Sequence, residues 1–245
     1  MIGLALLVMA FADAESEAEV AVPPVRALIV TGGHDFERPQ FFAMFDSMSG
    51  ITWKEVVHPE ANKQFTPEAA REYDVIVLYD MWQDITDEQK QQFVQRVKDD
   101  GKGLVALHHC LVSYQKWPEF RVMIGGQFTF DVVEIDGKKY GPNTFDHDQS
   151  FRVQIVDPAD PVTKGMTDFD LVDETYGGYY VANDVKPLLK VDHPKSAPII
   201  GWSKTYGKGR VVYLQSGHDH TSFDHKDFRA LVRNALLWTA AKSEK

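Results

Sequence analysis

Hydrophobic and polar residues alternate along the chain in two patterns, and together they predict an α/β fold. Nearly continuous apolar runs occupy 26–31, 73–79, 104–107 and 210–214, and each is followed by glycine or polar residues. Runs of this kind are typical of strands that are buried on both faces of a parallel sheet. Segment 51–57 alternates apolar and polar residues instead, and it predicts a further strand.

Between these runs, apolar residues recur at helical spacing and predict three helices. Pro39 suits the first turn of one helix, Thr86 and Gln89 form a capping box that opens a second helix, and Gly101 closes it. A C-terminal helix has Asp224 as its predicted N-cap. The apolar faces of the three helices are formed by Phe41, Met44, Phe45 and Met48, by Phe93, Val94 and Val97, and by Phe228, Leu231, Val232, Ala235 and Leu236.

This order of strands and helices predicts a mostly parallel sheet that is covered by helices on both faces. The middle of the chain, 111–200, is less regular and rich in Asp, Gly and Pro. There we predict an insertion with strands at 151–156 and 186–191. Internal repeats and low-complexity stretches are absent from the sequence.

The first residues differ in composition from the rest of the chain. Segment 2–12 is almost wholly apolar, and Ala12-Asp13-Ala14 has the small–x–small pattern of a cleavage site. The run is too short to span a bilayer, so 1–14 is interpreted as a signal peptide, 15–24 as an acidic linker and 25–242 as one domain. The alternative is a packed or disordered N-terminal tail, and the absence of Lys and Arg before the run is compatible with a misplaced start codon.

Composition narrows the classes of partner. The 245-residue chain has a net charge of −10 with scattered Lys and Arg, which argues against a nucleic-acid or anionic-membrane surface. After signal cleavage we expect no membrane span, and a periplasmic or secreted location. The single cysteine excludes an internal disulfide. A small-molecule ligand and a homo-oligomer are both compatible with this composition.

Histidines cluster where the apolar runs end. Five of the nine follow such runs directly, namely His34, His108, His109, His218 and His220. Since parallel strands present their carboxyl ends at one edge of a sheet, we expect a shared pocket there. Imidazole in such a pocket ligates a metal such as zinc or transfers protons, and the carboxylate of Glu174 can complete either site. Each histidine taken singly is also compatible with a hydrogen-bonded residue that shapes a loop, which is our interpretation of His109, His193 and His225.

Cys110 and a group of aromatic residues are the remaining candidates for a functional role. Cys110 could be a nucleophile activated by nearby histidines, but the bulky neighbours His109 and Leu111 favour a buried small hydrophobe. Large aromatics at the strand ends can stack on sugar rings or fill gaps between loops and sheet. These aromatics are Trp82, Tyr114, Trp117, Tyr176, Tyr179, Tyr180 and Trp202.

Several stretches, in order over about 25–240, resemble the ThuA-like (trehalose utilisation) family. The matching stretches are Ala27 to His34, Gly101 to His108, Trp117 to Phe120, Ile124 to Phe128, Val153 to Asp157, Asp160 to Gly165, Asp173 to Tyr176, Tyr206 to Asp219 and Phe228 to Trp238. The resemblance implies a flavodoxin-like three-layer sandwich similar to class I glutamine amidotransferases. It carries over His34, His108, Glu174 and His218 as site residues, with His147 as a looser match.

The resemblance also bears on activity. In the amidotransferases the position after the fourth strand holds the nucleophilic cysteine, whereas here it holds His108, with Cys110 two residues later. This difference argues against amidotransferase chemistry. The family name implies a role in sugar utilisation, alongside keto-sugar metabolism.

We therefore predict an exported carbohydrate-processing protein that acts on a sugar or keto-sugar. The predicted catalytic residues are His108, Glu174 and His218. The predicted metal ligands, for a divalent ion and zinc in particular, are His34, His108 and His218. The predicted substrate-binding residues are Trp82, Trp117, Tyr176 and Asp219. The alternatives are a non-catalytic sugar-binding protein with the same pocket, and a hydrolase that depends on Cys110.

Overall fold

Strands alternate with helices in the first half of the described chain, and strands follow one another in most of the second half. The structure is a computed structural model that describes residues 23–241. The strands are β1 (Val25–Gly32), β2 (Ile51–Val57), β3 (Val75–Asp80), β4 (Gly103–Leu107), β5 (Gly126–Gln127), β6 (Val133–Ile135), β7 (Lys138–Tyr140), β8 (Thr144–Ile155), β9 (Phe169–Gly177), β10 (Tyr180–Val181), β11 (Lys186–Lys190), β12 (Ile199–Tyr206) and β13 (Gly209–Leu214). The α-helices are α1 (Arg38–Asp46), α2 (Asp87–Lys98), α3 (Pro118–Ile124), α4 (His220–Phe223) and α5 (Lys226–Ala240), and 3-10 helices occupy Glu60–Phe65, Ala69–Glu72 and His108–Val112.

Nine strands form one sheet in the order β2-β1-β3-β4-β13-β12-β11-β8-β9. The strands from β2 to β13 in this order run parallel to one another. The last four strands are antiparallel to their neighbours. Leu107 of β4 pairs with Leu214 of β13, so these two strands end at the same level. The residues that follow them therefore meet at one edge of the sheet.

Side chains alternate between two apolar layers, one on each face of the sheet. Val105 and Leu107 of β4 pack in the layer that contains α1 and α5. Leu104 and Ala106 pack in the opposite layer, with residues of α2 and α3. This arrangement confirms the predicted α/β three-layer architecture, because strands that are buried on both faces need an apolar residue at every position.

Most predicted elements are present, with some differences at their ends. The capping box of Thr86 and Gln89 opens α2 as predicted. The N-cap of α5 is His225 and not the predicted Asp224. Asp224 is instead the C-cap of the preceding helix, α4. The sequence pattern missed β9 and β12, and β8 starts well before the predicted strand 151–156. The predicted signal peptide, and the linker up to residue 22, lie outside the described residues.

Strands β8 and β9 form a hairpin at the antiparallel end of the sheet. Their pairing is regular except between Asp146 and Gln149, where the register shifts. Asp148 has a positive φ of 55° within this irregular stretch. Bulges of this kind redirect a side chain, here that of His147. A search of residues 23–241 finds no helix that is long and apolar enough to cross a membrane.

Candidate metal and sugar site

His108 is the first residue after β4, and its backbone adopts the left-handed conformation, with φ at 50°. This conformation is unfavourable for a residue that has a Cβ atom, and such strain is concentrated at functional sites. The imidazole is fully buried. Its Nδ1 atom lies 2.7 Å from the main-chain oxygen of Gln215, which follows β13. A carbonyl oxygen can only accept, so Nδ1 carries a proton, and Nε2 lies on the other side of the ring.

Three ligand atoms from distant parts of the chain converge on that side of the ring. Oε2 of Glu174, on β9, lies 3.0 Å from Nε2 of His108 and 3.4 Å from Nδ1 of His218. The two imidazole nitrogens are 3.3 Å apart. Among the described residues this is the one group of three or more His, Cys, Asp or Glu residues whose ligand atoms lie close enough together to hold a metal ion.

The charges of the three groups are mutually dependent. Burial favours the neutral form of Glu174, but its contacts with His108 and His218 outweigh burial and hold its pKa well below the usual range. The hydrogen bond to Glu174 raises the pKa of His218. Burial lowers the pKa of His34, which lies nearby. The centre therefore combines an ionised carboxylate with an imidazole, that of His218, whose affinity for protons is raised.

The loop that carries His218 is held by Asp173, the residue before Glu174. The buried carboxylate of Asp173 accepts hydrogen bonds from the main-chain N–H groups of Gly217, at 2.7 Å, and His218, at 3.1 Å. It also accepts one from the hydroxyl group of Ser222, at 2.5 Å. Burial raises the pKa of Asp173. Asp173 thus fixes the His218 loop to β9, and so sets the position of His218 relative to Glu174.

The three ligand atoms face a cavity of about 160 Å³. Histidines, Glu174 and Tyr176 share its lining with apolar side chains. The aromatic residues Phe130 and Phe145 line it and remain 54% and 50% exposed. The cavity is lined by His34, Met81, His108, His109, Val112, Phe128, Phe130, Phe145, His147, Glu174, Tyr176 and His218.

Two predicted site residues lie in this cavity in addition to the three central ones. The hydroxyl of Tyr176 is 3.0 Å from Nε2 of His108. His34 lines the cavity, but its ring packs on His109, with 4.7 Å between the ring centroids, and it lies outside the ligand cluster. Of the predicted ligands His34, His108 and His218, the structure brings the last two together with Glu174, and His34 lies outside this group. The looser family match, His147, lies 3.3 Å from Oε1 of Glu174 at the mouth.

The other three predicted substrate-binding residues do not line the cavity. Trp82 stacks on His58, with 5.1 Å between the ring centroids, and its indole N–H donates to the main-chain oxygen of Asp84. Trp117 is buried against Phe120 in the layer of α2 and α3. Asp219 caps α4. These residues follow strands in the sequence, but the intervening turns direct them away from the cavity.

Phe130 and Phe145 were not predicted as site residues, because no predicted element covered them. The position of Phe145 depends on the long-range pairing of β8 with β9, and the segment of Phe130 is held by hydrogen bonds between Thr129 and Asn143.

His109, interpreted as a residue that shapes its loop, lies 3.1 Å from the main-chain oxygen of Asp80 and also lines the cavity. His193 and His225 do shape their chain segments, because each accepts a hydrogen bond from the main-chain N–H two residues later.

Cys110 is fully buried, and burial raises the pKa of its thiol well above the ordinary value. Since the thiolate is the reactive form, we expect native protein to resist iodoacetamide at neutral pH and to be alkylated once per chain in denaturant. Mass spectrometry of intact protein after both treatments measures this. Rapid alkylation of native protein would contradict a purely structural role for Cys110. It would support the alternative of a hydrolase that depends on Cys110.

The fold is that of ThuA-like proteins. The profile of the trehalose utilisation family (ThuA) matches residues 26–239, so the chain belongs to this family. A ThuA-like protein from Parabacteroides merdae aligns over 91% of this chain and 92% of its own, with a TM-score of 0.72 and 19% identity. A ThuA-like protein from Bacteroides uniformis covers 91% of this chain and 95% of its own, with a TM-score of 0.68 and 21% identity.

Proteins with lower sequence identity have a similar fold. A cytoplasmic protein from Salmonella typhimurium LT2 aligns over 89% of this chain and 100% of its own, with a TM-score of 0.60 and 13% identity. At these identities the structural matches establish the fold and nothing finer. No curated protein matches the sequence.

Proposed function

We propose that this protein is a carbohydrate-processing enzyme that acts on a sugar or keto-sugar at the cavity described above. In this proposal a divalent cation, zinc in particular, binds between His108, Glu174 and His218. The observation that carries it is the convergence of three ligand atoms within 3.0–3.4 Å of one another at the floor of that cavity. Family membership supports the assignment to sugar chemistry.

The donor set fits a cation. The carbonyl of Gln215 accepts from Nδ1 of His108, so Nε2 is the atom that faces the carboxylate of Glu174, at 3.0 Å. Either a proton on Nε2 or a cation bound by both groups stabilises this contact. Two imidazoles and one carboxylate match the protein ligands of catalytic zinc and of other first-row metals. The carbonyl of Gln215 behind His108 is the outer partner that such a histidine usually has.

Different residues of the chain have different roles at the site. A divalent cation, when bound, would supply Lewis-acid polarisation of a sugar oxygen. Gln215 orients His108, and Asp173 holds the loop of His218. Tyr176 directs its hydroxyl into the same space as the ligand atoms.

The mouth of the cavity suits a sugar ring. A pyranose presents C–H bonds on its faces and can stack on aromatic rings such as those of Phe130 and Phe145. The loop that carries Phe130 is fixed by paired hydrogen bonds between Thr129 and Asn143, at 2.7 and 2.9 Å. We therefore assign to Phe130 and Phe145 the stacking role that the sequence suggested for Trp82 and Trp117.

Export remains part of the proposal and rests on the predicted signal peptide at 1–14.

A thermal-shift screen tests the proposal. After EDTA treatment and dialysis, Zn²⁺ or Mn²⁺ at about 100-fold above its dissociation constant is expected to raise Tm by about 5–10 °C. Trehalose, D-glucose, D-galactose and D-gluconate are then added with and without metal. A sugar that stabilises the protein only with metal supports the enzyme, and one that stabilises it equally without metal supports the sugar-binding alternative. No shift with any metal or sugar would contradict both.

A further inference from the structure

We infer that a groove beside the cavity is a second binding subsite, which holds the second sugar ring of a glycoside. The first ring of that glycoside lies in the cavity itself, so the inference rests on the proposed function. It narrows the ligand from a sugar of any size to a glycoside of two or more rings.

The groove lies over the carboxyl ends of β1 and β2. These strands run parallel to β3 and β4, so the groove is at the same edge of the sheet as the cavity. Thr31 of β1 pairs with Val57, the last residue of β2, and both line the groove. The loop 32–36 and Arg38 form most of the remaining lining. Open α/β sheets bind their ligands at this edge.

The groove and the cavity share one residue, His34, which is exposed and lines both spaces. Its neighbour Gly33 lines the groove and packs on the backbone of Met81, which lines the cavity. A Cβ atom at Gly33 would lie only 2.7 Å from the main-chain oxygen of Met81. A ligand that fills the cavity and extends past His34 therefore enters the groove.

The two spaces differ in size in the way that a ligand of two parts requires. The volume of the cavity, about 160 Å³, is close to that of an engineered cavity of about 150 Å³ that binds benzene, so it has room for one six-membered ring. The groove is larger, at about 530 Å³. A second ring that is joined to the first must lie outside the cavity, and the groove has space for it.

The polar groups of the groove suit a hydroxylated ligand better than an anionic one. Arg38 is paired with Glu55 at 2.5 Å, and burial lowers the pKa of His34, which favours its neutral form. The exposed carboxylate of Asp35 therefore makes the accessible lining acidic, and a phosphate group would be repelled there. Sugar hydroxyl groups can donate to Asp35 and accept from the guanidinium group of Arg38, which is 48% exposed.

Two groove variants and one control test the subsite. Val57 is 44% exposed, so Val57→Trp fills the groove without entering the core. Asp35→Ala removes the exposed acceptor. The control, Val156→Trp, places the same bulk at a valine that is 40% exposed and lies outside the groove. Calorimetry on zinc-loaded protein compares D-glucose and D-galactose with the disaccharides trehalose, maltose, cellobiose and lactose.

We expect wild type to bind at least one disaccharide about 10-fold or more tightly than either monosaccharide, the gain typical of one or two further hydrogen bonds. Val57→Trp is expected to abolish this preference without weakening the monosaccharides, and Asp35→Ala to reduce it. Val156→Trp should keep the preference of wild type. Disaccharides that bind no more tightly than monosaccharides, or a preference that survives in both groove variants, would overturn this inference alone. Failure of wild type to bind any of these sugars would overturn the proposed function with it.

Discussion

Replacing His108 with alanine is expected to weaken zinc binding about 100-fold or more, and His218→Ala is expected to do the same. Each change removes one of three ligand atoms that lie within 3.4 Å of one another. Loss of an outer-sphere partner alone costs about 10–100-fold in metal affinity, so loss of a ligand should cost at least as much. Isothermal titration of the EDTA-treated protein with zinc measures the change directly.

The matched control is His193→Ala, which removes a partly exposed imidazole from the segment before β12 and leaves the cavity untouched. We expect its zinc affinity to equal that of wild type, and its circular dichroism and that of the two ligand variants to remain native. Equal zinc affinity in His108→Ala, His218→Ala and His193→Ala would show that zinc binds elsewhere on the protein.

Replacing Asp173 with alanine should lower the free energy of unfolding by about 3–5 kcal/mol. The change removes the acceptor of four donors, namely the hydroxyl of Ser222 and the main-chain N–H groups of Glu174, Gly217 and His218. Each unpaired buried donor costs about 1–3 kcal/mol, and water reaching the new space recovers part of this loss. Since burial raises the pKa of Asp173, its charge is itself costly, and Asp173→Asn, which keeps an acceptor oxygen, should lose less. Urea denaturation followed by tryptophan fluorescence measures these losses.

The control for this change lies on the same strand. Asp170 is exposed and pairs with Arg152 at 3.1 Å on the surface. Exposed pairs of this kind contribute about 0–1 kcal/mol, so Asp170→Ala should stay close to wild type. If Asp173→Ala were no less stable than Asp170→Ala, Asp173 would not fix the loop of His218.

The parallel half of the sheet was predictable because its strands are buried on both faces. Continuous apolar runs such as 104–107 and 210–214 have few other structural meanings, and local sequence suffices to find them. The antiparallel half was not predictable in the same way. Strand β9 includes three carboxylates, two of them buried, so its composition resembles that of a polar loop. Its pairing with β8 depends on contacts that are distant in the sequence.

The difference between local patterns and long-range contacts also explains which site residues were predictable. His108 and His218 follow β4 and β13, which pair in parallel, so the shared sheet edge predicted that they would meet. His34 follows β1, which is separated from β4 by β3, and it therefore reaches the cavity but not the ligand cluster. The sequence offered Glu174 as a carboxylate that could complete the site, and only the family resemblance assigned it a place there, because its position depends on the fold of the β8–β9 hairpin. The same hairpin brings in Phe145 and His147.

X-ray absorption at the zinc edge tests the central claim most directly. The measurement uses wild-type protein that is loaded with one equivalent of zinc after EDTA treatment, and Glu174→Gln protein prepared in the same way. For wild type we predict tight binding, with the multiple-scattering signature of two imidazoles and nitrogen and oxygen neighbours at about 2.0–2.2 Å. In Glu174→Gln the bound fraction should fall sharply. A spectrum of zinc surrounded by oxygen alone, or unchanged in Glu174→Gln, would contradict a metal centre formed by His108, Glu174 and His218.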